Sequence, residues 1–134
     1  MKILGIHHIS IATNNIAAHR EILRRLFDVD SESIESNPAS KVALSFIDFG
    51  NTKIELIEPL DNDSAISNFL EKRGPGIHHI CIQVENLDRA LDELRLKNVR
   101  LIDQKPRIGA GGARIAFIHP ESAGGILIEL EEHS

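Results

Sequence analysis

The pentapeptide GIHHI occurs twice in this chain, at residues 5–9 and at residues 76–80. The likeness continues for several residues after each copy, and each half also closes alike, with IEL at residues 54–56 and again at residues 128–130. Self-similarity of this kind indicates a repeated structural unit. The chain is therefore predicted to contain two copies of one unit, each with a histidine pair near its start and a glutamate near its end.

Alternation along a strand indicates which histidine of each pair faces a cavity. Successive side chains of a strand point to opposite faces of the sheet. His8 shares its face with small and polar residues, whereas His7 shares its face with isoleucines, and His79 and His78 divide in the same way. We therefore predict that His8 and His79 are functional, and we interpret His7 and His78 as packed or partly exposed spacers.

The closing glutamates complete a possible set of metal ligands. Glu55 and Glu129 each stand between an isoleucine and a leucine, so both carboxylates can face away from the hydrophobic layer. Imidazole and carboxylate groups suit borderline divalent ions. Their repetition at matching places favours one shared role, and we predict that His8, Glu55, His79 and Glu129 bind one metal ion.

Composition limits the class of protein. The 134 residues suit a single domain over residues 1–134, with units at about 1–60 and 76–134 joined by a helical linker at 61–75. The formal charge of −5 and the lack of a basic cluster argue against nucleic acid or an anionic membrane surface as partner, but they allow a small anionic substrate. The single cysteine, Cys81, cannot form an internal disulfide, which fits a reducing compartment.

No targeting or membrane segment is expected. Only six residues precede the first histidine pair, which leaves no room for a secretory hydrophobic segment, and no later apolar run is long enough to span a bilayer. The sequence therefore predicts a soluble, cytoplasmic protein.

Local patterns predict a β-α-β-β-β order in each half. In the first half the expected elements are strands at 3–13, 30–37, 42–49 and 53–58 and a helix from Asn14 or Asn15 to about Phe27, whose buried stripe would be Ile16, Ile22, Leu23, Leu26 and Phe27. In the second half they are strands at 77–84, 101–103, 114–119 and 125–131 and a helix at 87–98, with a connecting helix at 64–72 between the halves. The predicted fold class is α+β, with two βαβββ units forming a curved mixed sheet around a central metal-binding cleft.

Other polar groups favour structural roles. The glycine cluster at 109–112 could offer N–H groups to an anion, but such clusters are more often turns, and Lys105 and Arg107 before it are more often simply solvated. Cys81 is interpreted as a small buried filler. The remaining histidines, His19, His119 and His133, lack the repeated pattern and are interpreted as surface or loop residues.

These features resemble the vicinal oxygen chelate superfamily, which includes glyoxalase I and bleomycin-resistance proteins. Within it, the segments at 50–59 (GNTKIELIEP), 76–80, 105–110 (KPRIGA), 117–120 (FIHP) and 127–130 (LIEL) are most similar to the methylmalonyl-CoA epimerase family. The resemblance covers nearly the whole chain, and the ordered series in the last third is its most specific part.

The resemblance implies an isomerase that transfers a proton at C2 of methylmalonyl-CoA and so interconverts its (2R) and (2S) forms. It also implies a divalent cofactor (cobalt, or another ion such as Mn, Ni, Zn or Mg), an acyl-CoA substrate and a homodimer. Glu129 would be one of the two acid/base groups that an epimerase needs. No residue is assigned to CoA binding.

The sequence departs from the family pattern at three positions. Leu44 stands where some bacterial epimerases have a glutamate that is thought to carry the second proton, and Glu55 stands where some have glutamine. Glu121 replaces the lysine that often follows the His-Pro pair. The second proton carrier is therefore unassigned, and a phosphate contact at that loop is not carried over.

Two alternatives remain open on the sequence. The His/Glu/His/Glu set also fits glyoxalase I, which isomerises a glutathione hemithioacetal at a metal site. A metal-free ligand-binding module of the bleomycin-resistance type shares the fold, but such modules commonly lack the full ligand set that is present here.

Overall fold

A computed structural model describes residues 1–133, and its helices and strands follow the predicted order closely. The first repeat contains β1 (Ile3–Ala12), α1 (Ile16–Phe27), β2 (Glu35–Asn37), β3 (Val42–Asp48) and β4 (Lys53–Pro59). The connecting helix α2 (Ala65–Arg73) follows. The second repeat contains β5 (Gly76–Val84), α3 (Leu87–Leu96), β6 (Arg107–Ile108), β7 (Arg114–Ile118) and β8 (Ile128–Glu132).

The chain divides into two compact units, and the division falls inside the histidine pairs. We call residues His8–His78 the first-repeat unit and residues Met1–His7 together with the chain from His79 onward the second-repeat unit. The amino-terminal segment therefore packs with the later repeat: the Met1 amino group lies 2.8 Å from Glu93 Oε2, and the Glu85 N–H donates to the Lys2 carbonyl at 3.0 Å. The assignment of residues 1–134 to one domain stays a prediction.

In the first-repeat unit the strands lie in the order β2-β3-β4-β1. The β2/β3 and β3/β4 pairs are antiparallel, and β4 pairs with β1 in parallel. Helix α1 begins after Asn15, whose side chain accepts a hydrogen bond from the Ala18 N–H as an N-cap. The core of this unit consists of Ile16, Leu23, Ala43, Ile47 and Leu56.

The predicted buried stripe of α1 is wrong at three of its five positions. Ile16 and Leu23 are buried, but Ile22, Leu26 and Phe27 are 54%, 64% and 57% exposed. Five of the twelve residues of α1 form a face that is wider than the contact between one helix and one sheet. Only the residues directly above the sheet are therefore buried.

In the second-repeat unit the strands lie in the order β5-β8-β7-β6, with β5/β8 parallel and the other two pairs antiparallel. Helix α3 is capped by the Asn86 side chain, which accepts from the Arg89 N–H. Its apolar face packs on the sheet, and the core of the unit is Val84, Leu87, Ala90, Leu91, Leu101, Ala116, Ile118 and Leu130.

The second strand of the later repeat was predicted at the wrong place. Leu101 makes only an isolated bridge to Ile118, and the strand that pairs with β7 is β6. Leu101 is buried in the core, so its apolar character reflects side-chain packing rather than membership of a strand. The α+β class and the two βαβββ units are otherwise confirmed. Within residues 1–133, no helix combines the length and the apolar character needed to cross a membrane.

Candidate functional site

In the first-repeat unit, β1 and β4 bring His8 and Glu55 together. The parallel pairing sets Ser10 opposite Glu55, and His8 lies two residues before Ser10 on the same face. His8 Nε2 lies 3.6 Å from Glu55 Oε1, and the Ser10 hydroxyl donates a hydrogen bond to the same oxygen. His8, Ser10 and Glu55 are 4%, 0% and 6% exposed. The side of β1 that was predicted to face a cavity is therefore buried.

Phe46 supports this pair from β3. It lies opposite Glu55 in the antiparallel register, and its ring meets the His8 imidazole edge-on at a centroid distance of 5.4 Å. The Lys53 ammonium lies over the Phe46 ring, 5.6 Å from its centroid. An edge-to-face contact fixes the plane of an imidazole without using its nitrogens.

The second-repeat unit repeats this arrangement on β5 and β8. His79 Nε2 lies 3.2 Å from Glu129 Oε1, and both residues are buried, at 6% and 7% exposure. Cys81 stands opposite Glu129 in the parallel register, as Ser10 stands opposite Glu55 in the other unit. In each unit the histidine chosen from the sequence therefore lies beside the closing glutamate.

Phe117 occupies the place of Phe46, and a cation again lies near its ring, although Arg107 comes from β6 whereas Lys53 belongs to β4. The Phe117 ring meets the His79 imidazole edge-on at 5.3 Å, and the Arg107 guanidinium lies 5.5 Å from the Phe117 centroid. The sequence analysis missed both phenylalanines. Their signal was the dipeptide Phe-Ile at residues 46–47 and again at residues 117–118, each in the strand before a closing IEL.

Cys81 is fully buried, as expected for a small filler. Its Sγ lies 3.5 Å from Glu131 Oε2. Burial raises the pKa of the Cys81 thiol, and the negative charges of Glu129 and Glu131 raise it further. A thiol with this pKa is protonated at neutral pH, which supports the interpretation that it is no nucleophile.

The remaining histidines take separate roles. His78 packs edge-on against Phe69, with ring centroids 5.0 Å apart, and His119 Nδ1 accepts from the Glu121 N–H at 3.0 Å at the start of a short 3-10 turn. His7 and His133 both contact Glu131. The spacer interpretation of His78 agrees with its packing contact, whereas the contact of His133 with a buried carboxylate was not foreseen.

The glycine cluster behaves as a turn. The Gly109 N–H donates to the Ala113 carbonyl at 2.8 Å, and the Gly112 N–H donates to the Gly109 carbonyl at 3.2 Å. Both groups are thus used within the loop, which favours the turn over an anion site. A Cβ at Gly109 would lie 2.8 Å from Ile115 Cδ1, so a larger residue at this position would require the Ile115 side chain to shift.

The chemistry of the donor set fits a divalent cation. Each unit supplies one imidazole and one carboxylate, and the imidazole nitrogen and the carboxylate oxygen lie 3.6 Å apart in one unit and 3.2 Å apart in the other. Neutral imidazole and ionised carboxylate are ligands that Zn, Mn, Co and Ni all accept. Buried carboxylates need compensation by a positive group, which a bound cation provides.

Comparison with known proteins identifies the family of this chain. The family model described as the glyoxalase/bleomycin resistance protein/dioxygenase superfamily matches residues 7–117. The mitochondrial methylmalonyl-CoA epimerase of Dictyostelium discoideum is 40% identical over 95% of this chain and 77% of its own length. The human mitochondrial methylmalonyl-CoA epimerase is 35% identical over 95% of this chain and 73% of its own length.

Solved structures of methylmalonyl-CoA epimerases are also similar to this chain. A methylmalonyl-CoA epimerase from Mycobacterium tuberculosis has a TM-score of 0.93 at 34% identity, over 98% of this chain and 89% of that one. A methylmalonyl-CoA epimerase in complex with methylmalonyl-CoA and ammonium has a TM-score of 0.92 at 32% identity, over 99% of this chain and 96% of that one. On the family match and these identities, the chain belongs to the glyoxalase/bleomycin resistance protein/dioxygenase superfamily.

Proposed function

We propose that this protein is a methylmalonyl-CoA epimerase, an isomerase that interconverts (2R)- and (2S)-methylmalonyl-CoA by transferring a proton at C2. The observation that carries the proposal is the buried histidine–glutamate pair in each repeat, in a chain that is similar over 95% of its length to the methylmalonyl-CoA epimerases of Dictyostelium discoideum and human. The (2R) and (2S) forms differ only at C2, so the enzyme must break and remake one C–H bond.

His8, Glu55, His79 and Glu129 are the proposed ligands of one divalent cation, cobalt or another ion such as Mn, Ni, Zn or Mg. When bound, such an ion acts as a Lewis acid that stabilises negative charge on a substrate oxygen. The supporting observations are the burial of all four side chains and the equivalent strand positions of the two pairs. Phe46 and Phe117 hold the two imidazoles in fixed planes.

Glu129 is the proposed acid/base residue. Its carboxylate is buried, and one of its oxygens lies 3.2 Å from His79 Nε2. An ionised carboxylate in the site can take a proton from a carbon acid as a general base. The proton that Glu129 takes from one face of C2 must be replaced on the opposite face by another group.

Leu44 cannot be that second group. It is 2% exposed and lies in β3, opposite Ile57 in the register of β4. An alkyl side chain carries no exchangeable proton, so the second transfer uses another residue or a water molecule. Glu129 is therefore the one protein carrier that the proposal names.

Deuterium exchange tests the proposal directly. The metal-loaded protein is incubated with one epimer in deuterated water, and both C2 deuterium content and epimer ratio are followed. We expect exchange and epimer formation with the native chain and loss of both with Glu129→Gln, which keeps the shape of the side chain but cannot take a proton. Absence of both signals from the native chain would reject the proposed reaction.

Glyoxalase I is the second candidate, and one observation favours it. Glu55 is an acid where some epimerases have glutamine, so the ligand set is His/Glu/His/Glu, the set expected of a glyoxalase I. Both reactions move a proton next to a carbonyl. A direct comparison of turnover on methylmalonyl-CoA and on the hemithioacetal of methylglyoxal and glutathione distinguishes the two candidate functions. The substrate with the higher turnover identifies the function.

We further propose a homodimer in the cytoplasm that acts on a small-molecule acyl-CoA substrate. Several large apolar side chains support an interface, since Ile3, Leu4, Ile6 and Ile77 are all at least half exposed. Sedimentation equilibrium measures the mass of the particle in solution, and a mass equal to one chain of 14.9 kDa would contradict the dimer.

A further inference from the structure

Asp103 lies beside the phenylalanine that contacts His79. Its Oδ2 accepts a hydrogen bond from the Phe117 N–H at 2.8 Å, and its Oδ1 accepts one from Arg107 Nε at 2.9 Å. The Arg107 guanidinium in turn lies 5.5 Å from the centroid of the Phe117 ring. One carboxylate therefore holds Phe117 by its backbone and also holds the cation that lies over its ring.

The carbonyl of Phe117 is bound from the same side. The Ile102 N–H donates to it at 2.9 Å, so both backbone polar groups of Phe117 are directed away from β8. In an antiparallel ladder, a residue with this orientation forms a non-hydrogen-bonded pair with its partner, and the side chains of such a pair lie close together. The partner of Phe117 in β8 is Glu129. Asp103 therefore helps to set the position at which the Phe117 ring meets His79.

The burial of Asp103 strengthens its hold on Phe117. The Asp103 side chain is 16% exposed, whereas that of Arg107 is 46% exposed. A hydrogen bond from a backbone N–H to an ionised carboxylate is stronger than one between neutral groups, and burial reduces the competition from water. Loss of the carboxylate would take this acceptor from the Phe117 N–H and this anion from Arg107.

A similar order of groups occurs in the first-repeat unit. Glu32 Oε2 lies 3.7 Å from Lys53 Nζ, Lys53 lies over the Phe46 ring, and that ring meets the His8 imidazole edge-on. Because the two cations come from strands that do not correspond, β4 and β6, the arrangement is not a copy of one local sequence pattern. The Glu32 and Lys53 side chains are 59% and 36% exposed, and such an ion pair contributes little. The inference therefore concerns the second-repeat unit.

We propose that Asp103 is a positioning residue that acts through Phe117 to fix the plane in which the His79 imidazole is held. This role rests on the proposed function, in which His79 is a metal ligand. A residue that orients a ligand contributes about 10- to 100-fold to metal affinity. The contacts among Asp103, Phe117 and His79 involve only the chain, so they can be tested without metal or substrate.

Glu132 offers a matched control for Asp103. It accepts from the Leu87 N–H at 2.7 Å and from Arg114 Nη1 at 3.1 Å, so it too joins a backbone N–H to an arginine. Its side chain is 20% exposed, close to the 16% of Asp103, but its backbone partner is the first residue of helix α3. Asp103→Ala and Glu132→Ala should therefore lower the melting temperature to a similar extent, whereas only Asp103→Ala should disturb His79.

NMR of the metal-free protein measures the surroundings of His79. The ring C–H resonances of ¹³C-labelled histidine are sensitive to a neighbouring phenyl ring, and those of His79 are assigned by their absence from the spectrum of His79→Ala. We expect Asp103→Ala to shift these resonances and Glu132→Ala to leave them at their native positions. Unchanged resonances in Asp103→Ala, or equal shifts in the two variants, would overturn the positioning role.

Asp103→Asn is the conservative variant, because its amide oxygen can still accept from the Phe117 N–H while the ion pair with Arg107 is lost. We expect it to keep the native His79 resonances and a Co²⁺ affinity within about threefold of native, whereas Asp103→Ala should lower that affinity at least about 10-fold. Shifted resonances in Asp103→Asn would assign the effect to the ion pair and overturn the role of the Phe117 contact. Absence of Co²⁺ binding by the native chain would count against the proposed function, and the His79 resonances would still decide the role of Asp103.

Discussion

Ser10 and Glu55 stand opposite each other in the parallel pairing of β1 and β4, and the Ser10 hydroxyl donates a hydrogen bond to Glu55 Oε1. In the other repeat, Cys81 stands opposite Glu129 in the parallel pairing of β5 and β8. The same register thus sets a small side chain against each buried glutamate. A hydroxyl is the stronger donor of the two, so the carboxylate of Glu55 is held more firmly than its counterpart by this neighbour.

Removal of the Ser10 hydroxyl should destabilise the protein. In Ser10→Ala the buried carboxylate of Glu55 loses a hydrogen-bond donor, which costs about 1–3 kcal/mol in the free energy of unfolding. Urea denaturation measures this difference. Ser67→Ala is the control, because Ser67 also donates a hydrogen bond, to the Asp61 carbonyl, but that bond is exposed to solvent, so its loss should change the free energy of unfolding by less than about 0.5 kcal/mol. Equal effects of the two variants would contradict the role of Ser10.

The two histidines of the second pair should differ sharply when replaced. His79→Ala removes a proposed ligand, and we expect the metal affinity to fall by at least about 100-fold. Loss of a residue that only supports a ligand lowers metal affinity by about 10- to 100-fold, and loss of the ligand itself should cost at least as much. His78→Ala removes the neighbour that packs on Phe69 and should leave the metal affinity within about threefold of native. Isothermal titration with Co²⁺ measures both. A similar loss in the two variants would contradict the choice of His79.

Phe46 and Phe117 should act as positioning residues. Replacing either by leucine removes an edge-to-face contact worth about 0.5–1.5 kcal/mol, and we expect kcat for epimerisation to fall by up to about tenfold while KM changes little. Phe69→Leu is the matched control, since it breaks the same kind of contact with His78. If Phe69→Leu lowers kcat as much as Phe46→Leu does, the effect is a general loss of packing.

Cys81 should be unreactive in the folded protein. It is fully buried, so a reagent such as iodoacetamide cannot reach its sulfur. Burial also raises the pKa of the thiol, so the reactive thiolate does not form at neutral pH. Metal-free protein should show no labelling in native buffer and one labelled thiol per chain in denaturant, measured by mass spectrometry. Rapid labelling in native buffer would contradict the burial.

The core of the second-repeat unit should depend on helix α3. Leu91 is 1% exposed, and Leu91→Ala should lower the free energy of unfolding by about 2–5 kcal/mol through lost burial and the cavity left behind. Leu96 lies on the same helix but is 85% exposed, so Leu96→Ala should change the free energy of unfolding by less than about 0.5 kcal/mol. Thermal denaturation of the two variants measures the contrast, and comparable losses would contradict this packing.

Local sequence determined the repeated units and the buried histidine of each pair. GIHHI at two places predicted two copies of one unit, and strand alternation alone chose His8 and His79, both of which are buried beside a glutamate. These inferences succeeded because side chains alternate between the two faces of a strand and because the same sequence pattern occurs in both repeats.

Only the tertiary structure decided which distant residues meet. Nothing in the local pattern placed Phe46 on His8 or Phe117 on His79, and nothing placed His7 against Glu131 or left Leu26 exposed. Periodicity reports which side of an element is apolar, but it carries no information about what covers that side. The contacts between strands that are far apart in the sequence arise from strand order and register, which are fixed when the whole sheet packs.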